Sequence, residues 1–176
     1  DSNVKSVQMS RVLGTISYLG CPGVLGVQNL TTQNVTLNAG STYSLSVEFG
    51  TCNGNYAGVG QVWIDFDQNM VFDPSESVGT WTGTPPSVAT VFVVNVPANA
   101  QDGITRMRVT QKEGGVLPLN PCASFQWGST MDFGITIANG MDCSGYIGDN
   151  TNDPIIVSAI PFTDSRDNSY CYSNDN

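Results

Sequence analysis

The chain has 176 residues and a formal net charge of -9, with 6 Lys and Arg against 15 Asp and Glu, and it contains no histidine. The absence of histidine excludes imidazole as a general base or as a metal ligand, and so few basic residues cannot neutralise a row of phosphates. We therefore expect no nucleic-acid partner. The sequence contains no run of 18 apolar residues, so we also expect no direct insertion into a membrane.

Short segments of alternating apolar and polar residues follow one another along residues 1–139. Alternation with a period of two is typical of β-strands, and no apolar stripe with helical spacing persists for three turns. The predicted strands are Val12–Tyr18, Val24–Leu30, Thr42–Phe49, Val62–Phe66, Val88–Val96, Thr105–Val109 and Phe133–Ile137. Because turn residues separate them, the sequence predicts an all-β fold, an antiparallel, jelly-roll-like β-sandwich. Val88–Val96 is apolar on both faces, which predicts a strand in the middle of the sandwich.

The composition changes at Asn139, and the tail formed by residues 140–176 is rich in Asp, Asn and Ser. The tail contains one apolar stretch, Pro154–Pro161, which predicts an extended strand. A single strand cannot form a core of its own. It must pair with the main domain, pair with a neighbouring molecule, or belong to a domain cut short at Asn176.

Oxygen-bearing side chains recur at a regular spacing between Asp65 and Glu76. Counted from Asp65, they stand at positions 1, 3, 5, 9 and 12, and position 7 can offer its backbone carbonyl. This is the ligand spacing of a calcium loop. The predicted Ca²⁺ ligands are Asp65, Asp67, Asn69, Val71, Asp73 and Glu76.

The flanks and the sixth position of this loop depart from the usual helix–loop–helix pattern. A strand precedes it, and Pro74 prevents a helix from running through it. Met70 stands where glycine normally takes a positive φ, which costs on the order of 1 kcal/mol or forces another path. The alternative interpretation is an acidic, solvated turn between two strands.

Four motifs in chain order resemble the GEVED domain family over about Thr42 to Ile137. The segment Trp63–Asn69 followed by Phe72 resembles the family's WIDFNQDGxF signature. The other three are Val96–Ala100, Gly103 with Thr105–Val109, and Pro121–Phe125 with Gly128–Phe133. In the last motif, Ser129 and Met131 stand where the family has Glu, and in the first Asn69 and Met70 replace its Asp and Gly. The resemblance implies a non-catalytic module of large, secreted, mostly bacterial surface proteins.

The tail also resembles a known repeat. Gly148–Ile155 and Ile160–Thr163 are similar to the opening of a prepeptidase-type β-domain. That resemblance implies that the chain ends after the first two strands of such a domain.

Five cysteines without a CxxC pair are typical of disulfides in a secreted protein rather than of a zinc site. We favour Cys21–Cys52, because these residues flank the early strands, and Cys143–Cys171, which would staple the tail. Cys122 is then free, buried or linked to another molecule, and a Cys122–Cys143 bridge is the main rival. The triplets that begin at Asn29 and Asn34 are candidate glycosylation sites in a secreted chain.

Arginine and tryptophan residues offer two further candidate sites. Arg106 and Arg108 share one face of a strand and either clamp a carboxylate ligand or pair with Asp132 or the loop acids. Trp81 and Trp127 lie beside Gly and Thr, so we expect them to be exposed and able to stack on sugar rings.

These observations favour a secreted or cell-surface structural or adhesive module stabilised by Ca²⁺, and not an enzyme. No Ser or Cys has a base in reach by motif, and no paired-Glu signature for glycoside chemistry is present. The expected partners are other copies of the chain or neighbouring domains of a larger surface protein. Addition of the tail strand to another copy would build an extracellular filament. The alternative is a carbohydrate-binding accessory module of a secreted hydrolase, with glycans as ligands.

Overall fold

The computed structural model describes residues 2–11, 13–20, 26–51 and 54–138, and these residues form nine β-strands. The strands are β1 (Ser2–Ser10), β2 (Thr15–Leu19), β3 (Gly26–Asn38), β4 (Thr42–Thr51), β5 (Gly58–Ile64), β6 (Ser77–Gly83), β7 (Thr90–Asn95), β8 (Gly103–Glu113) and β9 (Gly128–Ala138). Within the described ranges, the one helical element is a short 3₁₀ turn, Pro74–Glu76. No helix in that part of the chain is long and apolar enough to cross a membrane.

The strands form two sheets. The four-stranded sheet has the order β2-β1-β4-β7, and the five-stranded sheet has the order β3-β9-β8-β5-β6. Paired strands are antiparallel except β3 and β9, which run parallel. A parallel pair needs a long connection, and five other strands, β4 to β8, lie between these two in the sequence. The predicted β-sandwich is confirmed, and it contains one parallel pair that the sequence did not predict.

Alternate residues of both sheets supply the core, as the period of two predicts. Aromatic contacts join the sheets at one end, where the rings of Phe49 and Trp81 stack with centroids 4.9 Å apart and Phe92 meets Phe49 edge-on. The fully buried large side chains are Met9, Ile16, Leu37, Leu45, Phe49, Ile64, Trp63, Met107, Met131, Phe133, Ile135 and Ile137. The packing of the two sheets fixes the end of β5 and the start of β6, and the acidic loop of residues 65–76 connects these two ends.

Two strands, β1 and β6, were not predicted, and β1 shows why. It is rich in polar residues, yet it lies between β2 and β4, and most of it is buried. Hydrogen bonds link β1 to the other sheet: the Val4 N–H, for example, donates to Ser129 Oγ at 2.9 Å. An alternation rule based on apolar residues cannot detect such a strand.

The interpretation of Val88–Val96 as a strand buried on both faces was wrong. The strand β7, Thr90–Asn95, is at the edge of the four-stranded sheet, and the side chains of Val91 and Val93 are 63% and 56% exposed. Phe92 and Val94 point into the core. Only one face of this sheet packs against the other sheet, so the residues of the outer face meet solvent whatever their hydropathy.

Residues Asp1–Ala138 form one compact unit, and β9 ends at Ala138, one residue before the predicted boundary. The predicted tail strand Pro154–Pro161, its two flanking repeat motifs, and Cys21, Cys52, Cys143 and Cys171 lie outside the described residues. Cys122 lies within them, as an exposed, free cysteine.

Candidate metal centre

The acidic loop, residues 65–76, leaves the buried strand β5 and is fixed at its start by the beginning of β8. The Asp65 N–H donates to the Arg106 carbonyl at 3.1 Å, and Thr105 Oγ1 donates to the Asp65 carbonyl at 2.5 Å. One residue on, the Gln101 N–H donates to the Phe66 carbonyl at 2.8 Å. These contacts hold the first turn of the loop against the sheet, so Asp65 has a defined position.

Three carboxylates of the loop converge. Asp65, Asp67 and Glu76 each place one oxygen so that the three atoms lie within 4.8 Å of one another. The 3₁₀ turn brings Glu76 back to the start of the loop, where Oε1 accepts from the Phe66 N–H at 2.7 Å and Oε2 accepts from the Asp73 N–H at 3.0 Å. Asp65 and Glu76 are only 6% exposed, whereas Asp67 faces solvent. This cluster can offer oxygen ligands to a cation from its buried side and from its exposed side.

Met70 takes the backbone conformation that a calcium loop usually gives to glycine. Its φ is +68°, and its side chain is 93% exposed. The Met70 N–H donates to Asp65 Oδ2 and the Asn69 N–H donates to Asp65 Oδ1, both at 3.2 Å. Methionine therefore does not force another path at this position, although a left-handed conformation costs a residue with a Cβ about 1 kcal/mol.

Asn69 contacts two carboxylates of the loop and the backbone of Val71. Asn69 Nδ2 donates to Asp67 Oδ2 at 3.0 Å and to Asp73 Oδ2 at 3.2 Å. Asn69 Oδ1 accepts from the Val71 N–H at 2.7 Å. The amide thus places its N–H donors between two carboxylates and reduces the repulsion between them. A cation at this place would reduce the same repulsion.

Burial and mutual repulsion shape the electrostatics of the cluster. Burial raises the pKa of Asp65, with a smaller contribution from Asp67, and backbone N–H donors only partly oppose it. Burial also raises the pKa of Glu76, with a smaller contribution from the charge of Asp65. Among the described residues, the ion pairs of Lys and Arg go to Glu48 and Asp132 and none reaches this cluster. The cluster therefore carries negative charge that a hard divalent cation would balance.

The two arginines considered as a ligand clamp both contact Asp132 instead. Arg108 faces Asp132 across β8 and β9 and donates from Nε to Oδ1 and from Nη2 to Oδ2, both at 2.7 Å. Arg106 Nη1 reaches Asp132 Oδ2 at 3.3 Å. Since Asp132 is buried, this group is an internal ion pair with no free carboxylate-binding fork at Arg108.

The tryptophan prediction was wrong for Trp81. Its ring stacks on Phe49 and packs against the core, so it is not a surface platform for sugars. Trp127 is 47% exposed, as expected, and lies just before β9.

The two candidate glycosylation sites differ in exposure. Asn29 is exposed on β3, and its Oδ1 accepts from Thr31 Oγ1 at 2.7 Å. Asn34 is partly buried, and its Oδ1 accepts from Thr136 Oγ1 at 3.0 Å. Asn29 is therefore the more accessible of the two amides.

Sequence reasoning did not assign Thr105 or Phe72 to the site. Thr105 stabilises the Asp65 carbonyl, and the Phe72 ring lies against Trp63 with centroids 6.3 Å apart. No local pattern points to Thr105, whereas Phe72 stood in the first family motif and was given no role.

The chain was compared with curated proteins and with solved structures. No curated protein matches the chain. Among solved structures, a family 123 glycoside hydrolase from Clostridium perfringens matches with 12% identity and a TM-score of 0.39, covering 64% of this chain and 23% of that chain. The CARDB domain of a Pyrococcus furiosus protein, in complex with di-metal ions, matches with 18% identity and a TM-score of 0.34, covering 58% of this chain and 79% of that chain.

The family model described as the GEVED domain matches residues 59–136, which begin in β5 and end in β9. The resemblance seen in the sequence is thereby confirmed for this segment. Residues 59–136 thus match the GEVED domain family, and the acidic loop lies entirely within this segment.

Proposed function

We propose that this chain is a non-catalytic, secreted or cell-surface structural module whose acidic loop binds Ca²⁺. The observation that carries the proposal is the convergence of Asp65, Asp67 and Glu76, two of them buried, without a basic partner among the described residues. Uncompensated buried carboxylates are costly, and a bound cation converts that cost into stability. The cation would brace the connection from β5 to β6.

The donor set favours Ca²⁺ over other metals. The cluster offers only oxygen atoms, which excludes the Cys and His ligands that zinc prefers. A loop with candidate ligands at positions 1, 3, 5, 7, 9 and 12 suits the six to eight oxygens of Ca²⁺ better than the strict octahedron of Mg²⁺. Binding requires Asn69 to release the Val71 N–H and to turn its Oδ1 towards the ion.

Thermal unfolding with CaCl₂ and with chelator tests the metal site. At a free Ca²⁺ concentration 100 times Kd we expect a stabilisation of about 2.7 kcal/mol. Asp67→Asn should abolish most of this gain, because it removes one of the three ligand carboxylates. Asp67 is exposed, so the substitution spares the buried hydrogen bonds. Glu113→Gln removes one charge outside the loop and is the matched control. Equal midpoints of the unsubstituted protein with and without Ca²⁺ would show that the loop binds no Ca²⁺.

We further propose a structural or adhesive role with other copies or neighbouring domains as partners. The apolar tail segment Pro154–Pro161 supports polymerisation by strand addition, because main-chain hydrogen bonds give such pairing its affinity. Electron microscopy of the intact chain should show filaments, and Val157→Pro should abolish them by removing a strand donor. Ser165→Pro, outside the apolar segment, is the control. Dispersed monomers of the unsubstituted chain would count against polymerisation.

A carbohydrate-binding module is the second candidate, and the exposure of Trp127 favours it. Aromatic faces stack on sugar rings. Glycan-array binding that is lost in Trp127→Ala would support this function. Silence on the array, with tryptophan fluorescence unchanged by sugars, would discard it.

A further inference from the structure

Four segments that are far apart in the sequence meet at the guanidinium group of Arg108. Two of its nitrogens hold Asp132 on β9, and Nη1 donates to the Pro121 carbonyl at 2.8 Å. On the remaining side, the guanidinium carbon lies 5.1 Å from the centre of the Phe72 ring. These residues stand in three of the four motifs by which the chain resembles the GEVED family: Phe72 in the first, Arg108 in the third, and Pro121 and Asp132 in the fourth.

The Phe72 ring is the one part of the acidic loop that contacts this assembly in the described structure. It contacts both Arg108 and the buried ring of Trp63. A cation against an aromatic face is attracted by the ring quadrupole, more strongly where water is excluded. Since Arg108 is itself fixed by Asp132, the ring is held by a group that has little freedom to move.

Phe72 occupies a sensitive position in the loop. It lies between Val71, whose carbonyl is a predicted ligand, and Asp73, whose carboxylate is another. The N–H of Asp73 also donates to Glu76 Oε2, at 3.0 Å. Fixing the Phe72 ring therefore restricts the backbone that carries the second half of the predicted ligand set.

We propose that Arg108 is a positioning residue for calcium: it acts through the Phe72 ring to hold residues 71–73 in the arrangement that binds the ion, and so sets the affinity. The inference rests on the proposed calcium function and names a residue that touches no ligand atom. Its contact with Pro121 also ties the loop that follows β8 to the same point. The first half of the metal loop depends on other contacts, those of Thr105 and Gln101.

The test is calcium titration by calorimetry at a temperature where every variant is folded. Arg108→Lys keeps the positive charge beside Asp132 but loses the planar fork that spans Asp132, Pro121 and Phe72 together. Phe72→Leu keeps apolar bulk against Trp63 but removes the ring face. We expect each to weaken calcium binding by about five- to thirty-fold. Because ring and guanidinium act as one unit, the double variant should be little weaker than either single variant.

Arg106→Lys is the matched control, since Arg106 lies on the same face of β8 and contacts the same carboxylate, but has no contact with Phe72. Its Kd should stay within two-fold of the unsubstituted protein. A merely structural role for Arg108 would lower the metal-free thermal midpoint and leave Kd unchanged.

The outcomes separate the two proposals. If the unsubstituted protein binds no calcium, the proposed function fails and this inference fails with it. If that protein binds calcium and both Phe72→Leu and Arg108→Lys bind it within two-fold as tightly, only the positioning role is overturned. Should Arg108→Lys fail to fold, Phe72→Leu alone decides the question.

Discussion

The side-chain amide of Gln111 hydrogen-bonds both backbone groups of Gly50. The Gly50 N–H donates to Gln111 Oε1 at 2.9 Å, and Gln111 Nε2 donates to the Gly50 carbonyl at 2.7 Å. Gln111 is fully buried on β8 and Gly50 lies on β4, so this pair joins the two sheets. The amide supplies a buried backbone segment with the partners that a neighbouring strand would otherwise provide.

We expect Gln111→Leu to lower the free energy of unfolding by about 2 to 4 kcal/mol, because it leaves a buried N–H and a buried C=O without partners. Urea denaturation measures the change. Gln8→Leu, at an exposed position of β1, is the matched control and should change stability by less than about 0.5 kcal/mol. Equal effects of the two substitutions would show that the Gly50 contacts contribute little.

Gly60 leaves room for the aromatic contact between the sheets. A Cβ at this position would collide with the ring of Phe49, which is stacked on Trp81. Gly60→Ala should therefore destabilise the fold by about 1 to 3 kcal/mol, the usual cost of overpacking. Phe49→Leu removes the colliding atoms, so the double variant should lose less than the sum of the two single changes. Additive losses in urea denaturation would contradict a collision with Phe49.

The acidic loop should make the stability of the fold depend on pH. Without calcium its contribution should fall as the pH rises, and with calcium it should increase. Burial raises the pKa of Asp65 and of Glu76 in the folded chain, so the folded state keeps its protons to a higher pH than the unfolded state. In chelator, this contribution to stability is greatest at low pH and is lost as pH rises from about 4, the ordinary pKa of these groups, through the raised values.

Calcium binds only the ionised carboxylates, so the stabilisation by calcium should grow over the same rise in pH. Thermal midpoints measured with and without calcium should diverge as the pH rises above about 4. Asp67→Asn retains Asp65 and Glu76, so it should keep the decline in chelator and lose the divergence. A constant effect of calcium across this range would mean that the ion binds elsewhere.

Alkylation tests the cysteine assignment. Cys122 is exposed and free in the described structure, so iodoacetamide should modify it in the folded, unreduced protein. Peptide mapping by mass spectrometry should then find one adduct, at Cys122, and the predicted bridges Cys21–Cys52 and Cys143–Cys171. A peptide that links Cys122 to Cys143 would instead establish the rival pairing.

Local alternation was sufficient to predict most strands of the sandwich. β4 and the first part of β8 bury alternate side chains, whereas β5 and most of β9 are buried on both faces. It failed for β1, which is rich in polar residues and is buried by contacts with residues distant in sequence, such as Ser129. It also misplaced β7, because hydropathy does not reveal whether a strand is central or at an edge.

In the acidic loop, too, some features follow from the local sequence and others depend on tertiary contacts. The spacing from Asp65 to Glu76 identified the candidate ligands, because ligand spacing within a single loop is a local property. The spacing did not reveal the Asn69 contacts with Asp67 and Asp73. It also left open whether Met70 could take a positive φ, which depends on the Asp65 carboxylate that receives its N–H.

The sequence by itself determined what this protein lacks and which chemistry its loop offers: no histidine, few basic residues, and oxygen donors at calcium spacing. It also carried the four motifs of the GEVED resemblance. Only the tertiary structure decided that three carboxylates converge, that Trp81 is packed against Phe49, and that three of the four motifs meet at Arg108. The physical reason is that ligand type and spacing are local along the chain, whereas burial and ion pairing depend on strands brought together from distant parts of it.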